Sequence, residues 1–121
     1  MTATKIWLSL ALLAFASTQA FASKCYIREY GQMGVAQNGQ PQIADEPPLV
    51  DQTALDFSGG HAESAAFGNS TKYIRVWCDA QASFLVGTAP VALNTMSPLT
   101  SATPEYFGVR SGQKISVVAN P

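Results

Sequence analysis

The chain has 121 residues, 12% of them charged, with seven basic against eight acidic side chains and a single histidine. That size allows one domain. The absence of any run of Lys and Arg excludes a nucleic-acid partner bound through its phosphates. One histidine and two distant cysteines do not make a zinc site, so neither a metal nor any other cofactor is expected.

Residues 1–22 have the layout of a cleaved secretory signal peptide. Lys5 gives the positive start, Ile6 opens a nearly unbroken apolar run to Phe15, and Ala20-Phe21-Ala22 supplies the small-x-small cleavage pattern before Ser23. The apolar run is about half the roughly 20 residues a spanning helix needs, so no stable membrane insertion is expected after cleavage. Lipid attachment at Cys25 is disfavoured because Lys24 precedes it. The remaining domain, 23–121, keeps six basic and eight acidic residues, a net charge of −2.

Residues 25–30 are short and rich in β-formers and read as a strand. Residues 31–48 form a Gly-, Gln- and Pro-rich arm, with one edge segment around Val35 and a stiff end at Pro47-Pro48. Residues 49–57 predict a strand, Gly59-Gly60 a turn, 61–67 a returning strand and Gly68-Asn69 a second turn. The clearest strand is 71–78. There Ile74, Val76 and Cys78 alternate with Tyr73, Arg75 and Trp77, the period-two signature of a half-buried strand. The first set is assigned to the core and the second to the opposite face, where Arg75 could stack on either ring.

Residues 82–86 predict the next strand, 87–104 a second long loop with three prolines, and 105–109 a short strand. Ser111-Gly112 is a turn, and 113–119 the last strand, with Ile115, Val117 and Ala119 in step. About seven short strands without an amphipathic helix predict an all-β domain, a small β-sandwich or jelly roll. Cys25 and Cys78 are either disulfide-bonded, as export to an oxidising compartment allows, or two separate buried thiols.

No catalytic residues emerge, and an enzyme is not expected. His61 could be a general base oriented by Glu63 or Asp79, but its place after Gly59-Gly60 reads as an exposed turn. No nucleophile elbow surrounds Ser58, Ser64 or Ser70. Asp45, Glu46, Asp51 and Asp56 read as solvating charge, and Asn69-Ser70-Thr71 as a turn that happens to match a glycosylation acceptor. The Tyr73, Arg75 and Trp77 face is the candidate contact surface. It binds a ligand, packs against the arm, or self-associates.

An ordered set of segments carries a resemblance: Tyr26-Ile27-Arg28-Glu29-Tyr30, Gln42-Ile43-Ala44-Asp45-Glu46-Pro47, Thr71-Lys72-Tyr73-Ile74-Arg75-Val76, Phe84-Leu85-Val86-Gly87-Thr88-Ala89-Pro90, Thr103-Pro104-Glu105-Tyr106-Phe107-Gly108-Val109 and Ser111-Gly112-Gln113-Lys114-Ile115. Together they resemble small uncharacterised β-domain proteins of tailed-phage and prophage structural gene regions, over nearly all of 25–121. The resemblance implies a non-enzymatic, virion-associated or capsid-decorating module that self-associates or joins a larger protein assembly. The alternative reading is an exported periplasmic or extracellular binding domain for a glycan or cell-surface partner.

The leader gives a direct expectation. Mass spectrometry of the protein from its host should find Ser23 as the first residue; an intact Met1 in a cytoplasmic fraction would contradict export.

Overall fold

The computed structural model describes residues 23–120, so the signal-peptide segment lies outside the described residues. The described chain is all-β. Eleven strands run in order: β1 (Lys24–Tyr30), β2 (Gly34–Val35), β3 (Pro41–Gln42), β4 (Val50–Asp51), β5 (Leu55–Asp56), β6 (Ala62–Glu63), β7 (Tyr73–Cys78), β8 (Ala82–Gly87), β9 (Pro98–Leu99), β10 (Glu105–Gly108) and β11 (Lys114–Ala119). They form three antiparallel sheets. The first has the order β10-β7-β1-β4 with β5 also on β1, the second β6-β11-β8-β9, and the third is the β2-β3 hairpin of the arm. No helix among the described residues is long and apolar enough to cross a membrane.

The two larger sheets enclose one core. Cys25 and Ile27 of β1, Ile74, Val76 and Cys78 of β7, and Ile115 and Val117 of β11 are all buried, together with Phe57, Phe67 and Leu99. The rings of Phe84 on β8 and Phe107 on β10 meet at 4.6 Å and tie the sheets together. Burying each such large apolar side chain stabilises the fold by roughly 1.5–3 kcal/mol. The expected inward set on 71–78 is therefore the observed one. Ala119, expected in step with Ile115 and Val117, is exposed at the strand end.

Cys25 and Cys78 are bonded, with sulfurs 2.03 Å apart. They stand directly opposite each other in the β1–β7 ladder. The bridge indicates an oxidising environment of the kind exported proteins meet.

Two expected strands are shorter than the sequence pattern suggests, each for a side-chain reason. The 49–57 segment lies along β1, but its register shifts by one residue between the Arg28–Asp51 and Cys25–Leu55 pairs. That is a one-residue bulge over 52–54, and it frees the Gln52 amide. Nε2 donates to Glu29 Oε2 at 3.0 Å, and Oε1 accepts the Ala65 N–H at 3.1 Å. The 61–67 segment follows β11. At Ser64 the hydroxyl, rather than a backbone carbonyl, accepts the Ile115 N–H at 3.0 Å, which ends the regular ladder. Gly60, at φ +136°, lies in the turn that carries the chain from the first sheet to the second. One strand, β9, falls inside the predicted second loop.

Glu29 points inward from β1 and is only 1% exposed. Its Oε1 accepts the Gly68 N–H at 2.9 Å and the Thr71 hydroxyl at 2.8 Å. With Gln52 on the other oxygen, this carboxylate binds β1 to the bulged strand and to the turn before β7.

Two stability measurements follow. Replacing both cysteines by alanine should lower unfolding free energy in urea by up to about 4 kcal/mol, the chain-entropy value for a loop of this size. Glu29→Ala leaves buried donors on Gly68 and Thr71 unpaired and should cost roughly 2–4 kcal/mol; a loss below the usual surface value would show that the polar knot is dispensable.

Candidate functional site

The outward side chains of β1 are Tyr26, Arg28 and Tyr30; those of β7 are Tyr73, Arg75 and Trp77. Each strand reads aromatic-x-Arg-x-aromatic. The strands are antiparallel, and the register sets Tyr26 opposite Trp77, Arg28 opposite Arg75, and Tyr30 opposite Tyr73. Tyr106 of β10 pairs with Arg75, and Asp51 of β4 with Arg28. One row across the sheet is thus Asp51, Arg28, Arg75, Tyr106, flanked on both sides by aromatic pairs.

The two ends of this face differ. At one end Tyr30 and Tyr73 stack with ring centroids 5.3 Å apart. The arm folds over them. The Tyr30 hydroxyl donates to Glu46 Oε1 at 2.7 Å, and the Tyr73 hydroxyl lies at hydrogen-bond distance from the carbonyls of Gln32 (2.8 Å) and Ile43. Gln32 and Asp45 close the arm on itself through a 2.8 Å side-chain bond. Gly34 is needed there, because a Cβ would sit 2.6 Å from the Ala44 carbonyl oxygen. Burial, then the hydrogen bond to Glu46, pushes the Tyr30 phenol above its ordinary pKa. Burial and then the nearby Tyr106 do the same for Tyr73.

The other end is open. Tyr26 is 46% exposed. Tyr26 and Trp77 are tilted by 54° with centroids 5.7 Å apart. With Arg28, Asp51 and Arg75 they line a shallow depression of about 330 Å³. The outer face of the second sheet is partly covered, with Leu85 left 37% exposed. The loop after β8 lies over it, with the Ala92 N–H on Ser116 Oγ at 2.9 Å and Ser83 Oγ on the Asn94 carbonyl at 3.3 Å.

The two arginines are not equivalent. Arg28 reaches Glu46 at 3.4 Å and Asp51 at 3.5 Å, both exposed pairs worth little individually. Arg75 has no carboxylate at ion-pair distance among the described residues. Its Nε is the one buried side-chain nitrogen or oxygen among them that lacks a hydrogen-bond partner. Leaving such a donor unmet costs on the order of 1–3 kcal/mol, and a like charge directly opposite adds to this.

Of the residues singled out in the sequence, Tyr73, Arg75 and Trp77 do share one face, but only Arg75 and Trp77 stand in its open part. Tyr26, Arg28 and Asp51 complete it, while the Tyr106 ring leans toward Tyr73, with centroids 6.4 Å apart. The repeated aromatic-x-Arg-x-aromatic spacing was the signal that could have found Tyr26 and Arg28. His61 is exposed. Both acids weighed as its partners are engaged elsewhere: Glu63 pairs with Lys114 at 3.1 Å, and Asp79 accepts the Lys24 N–H at 2.7 Å. Among the described residues no cluster of three or more His, Cys, Asp or Glu could hold a metal ion.

Tyr73→Phe should loosen the arm, lowering stability by about 1 kcal/mol and speeding proteolysis near Asn38-Gly39. Both phenols titrate higher in the folded state, so their contribution is complete below the ordinary phenol pKa of about 10. It is lost as pH rises through the folded values, and arm cleavage should accelerate only there. No protein-family model matches this chain, and no curated protein or solved structure shows significant similarity to it.

Proposed function

We propose that the protein is a non-enzymatic binding module, exported after removal of its leader, that engages a glycan or cell-surface partner through the open face formed by Tyr26, Arg28, Arg75 and Trp77. The observation that carries this reading is the contrast between the two outer faces. One is partly covered by a loop whose backbone bonds to Ser83 and Ser116. The other keeps the exposed Tyr26 ring, half-buried Trp77 and an arginine without an ionic partner among the described residues on two central, disulfide-linked strands. Aromatic and Arg side chains on a stiff frame are the residue types that dominate binding hot spots. Their rigidity limits the entropy lost on binding.

The decorating role that the phage-type resemblance implies requires self-association or docking on a protein lattice. A two-fold contact between copies of this face would set one Arg28–Arg75 pair against another, which like-charge repulsion opposes. Exposed Met33, Val35, Ile43 and Leu49 on and beside the arm offer a different surface for such contacts, and this is the observation that keeps the assembly reading in play.

Size-exclusion chromatography with light scattering should give a monomer, and a glycan array should give binding that Trp77→Ala abolishes with little change in Tm. A stable closed oligomer with no array signal would favour the assembly reading. A loss of several kcal/mol on Trp77→Ala would show that the ring serves packing.

A further inference from the structure

Resting on that reading, we infer that the open face takes an acidic saccharide of the hexuronate type, with Arg75 holding the sugar carboxylate while Tyr26 and Trp77 receive the pyranose ring. Four observations converge on this chemistry. First, the depression is lined by Arg28 and Arg75 with Asp51, and Glu46 approaches Arg28 from outside that lining, so both nearby carboxylates lie against Arg28 and neither against Arg75. Second, Arg28 already has acidic neighbours at 3.4 and 3.5 Å, whereas Arg75 has none among the described residues. A guanidinium presents its N–H groups as a planar fork matched to the two oxygens of a carboxylate. Third, the Tyr26 and Trp77 rings, 5.7 Å apart and tilted by 54°, border the same depression, and a sugar can lay an apolar C–H face on either ring. Fourth, Asp51 on the far side of the row from Arg75 can accept a sugar hydroxyl.

The backbone decides against an acidic peptide. β1 and β7 are interior strands of their sheet, each paired on both sides, so their N–H and C=O groups are consumed in ladders. A peptide on this face would leave its own backbone unmatched, and extended peptides normally add to a sheet edge instead. A saccharide needs only the side chains. The volume of about 330 Å³ sits at the small end for ligand sites and suits one or two sugar rings rather than a long chain in a groove.

The test is calorimetric titration of the disulfide-bonded protein with trigalacturonate, its neutral methyl ester, a sulfated neutral disaccharide and a tetraglutamate peptide. Trigalacturonate should bind, and the ester should bind roughly tenfold to a hundredfold more weakly, the factor for losing a hydrogen bond to a charged group. Arg75→Met should bring trigalacturonate down to the affinity of the ester and leave the ester unchanged. Its Tm should not fall, since the substitution relieves the charge facing Arg28. Should Arg75→Met fail to fold, the acid-against-ester comparison on the unaltered protein decides alone. Equal affinity for acid and ester overturns the carboxylate assignment while leaving a saccharide face standing. Tighter binding of the peptide or of the sulfated sugar overturns the assignment to a hexuronate. No binding to any saccharide overturns both this inference and the reading beneath it.

Discussion

The register between β1 and β7 governs everything else in the molecule, and the Cys25–Cys78 bridge fixes it. Side chains in a strand alternate between faces, so a one-residue slip of β1 would send Ile27 outward and Arg28 into the core. A covalent bond between directly opposed residues leaves no room for that slip. β1 also carries β4 and β5 on its other edge, so the same constraint passes to the bulged strand. The bridge therefore acts twice. It limits the unfolded chain across 53 residues, and it sets the pairing from which both the core and the outer face follow.

A second constraint is polar. Glu29 lies inside with three donors on its two oxygens. A carboxylate withdrawn from water survives only when its oxygens are met this fully. The donors come from two distant stretches of chain: Gln52 from the bulge, and Gly68 and Thr71 from the two ends of the turn leading into β7. The knot positions the crossing segments that apolar packing alone would leave free to slide. The bulge at 52–54 and the interruption at Ser64 thus follow from polar side chains that replace regular backbone partners.

This explains what the sequence makes legible. The strand over 71–78 is visible because apolar residues alternate there with the outward set, and those over 25–30, 82–86, 105–109 and 113–119 because short runs containing β-branched or aromatic residues lie between turn and loop signals. The segments 49–57 and 61–67 show as extended but not as broken, since nothing in the local pattern reports that Gln52 and Ser64 turn their side chains onto distant groups. The face was half legible for a similar reason. Alternation puts Tyr73, Arg75 and Trp77 on one side of their own strand, but it does not say which strand lies beside them. Once Cys25 is taken as the partner of Cys78 in an antiparallel pair, Tyr26 must meet Trp77 and Arg28 must meet Arg75. The closure of the arm over Tyr73 depends on hydroxyl-to-carbonyl bonds across about 30 to 40 residues, a long-range relation that no short-range pattern encodes.

Arg28 and Arg75 in direct cross-strand opposition set this sheet against its own stability. Aromatic or opposite-charge pairs at that position would favour folding, and like charges oppose it. The fold softens the conflict on one side only, through Asp51 and Glu46 beside Arg28. Among the described residues Arg75 has no carboxylate at ion-pair distance and one guanidinium N–H without an acceptor, and the residue opposite it on β10 is Tyr106, not an acid. Departures of this kind from local consistency concentrate where a protein does something other than fold. Here the departure lies on the uncovered half of its sheet, beside the exposed Tyr26 ring and half-buried Trp77, on strands whose relative position is covalently fixed. The strain and the opening coincide, and an anionic group entering from outside would resolve the strain at the point where the fold leaves it.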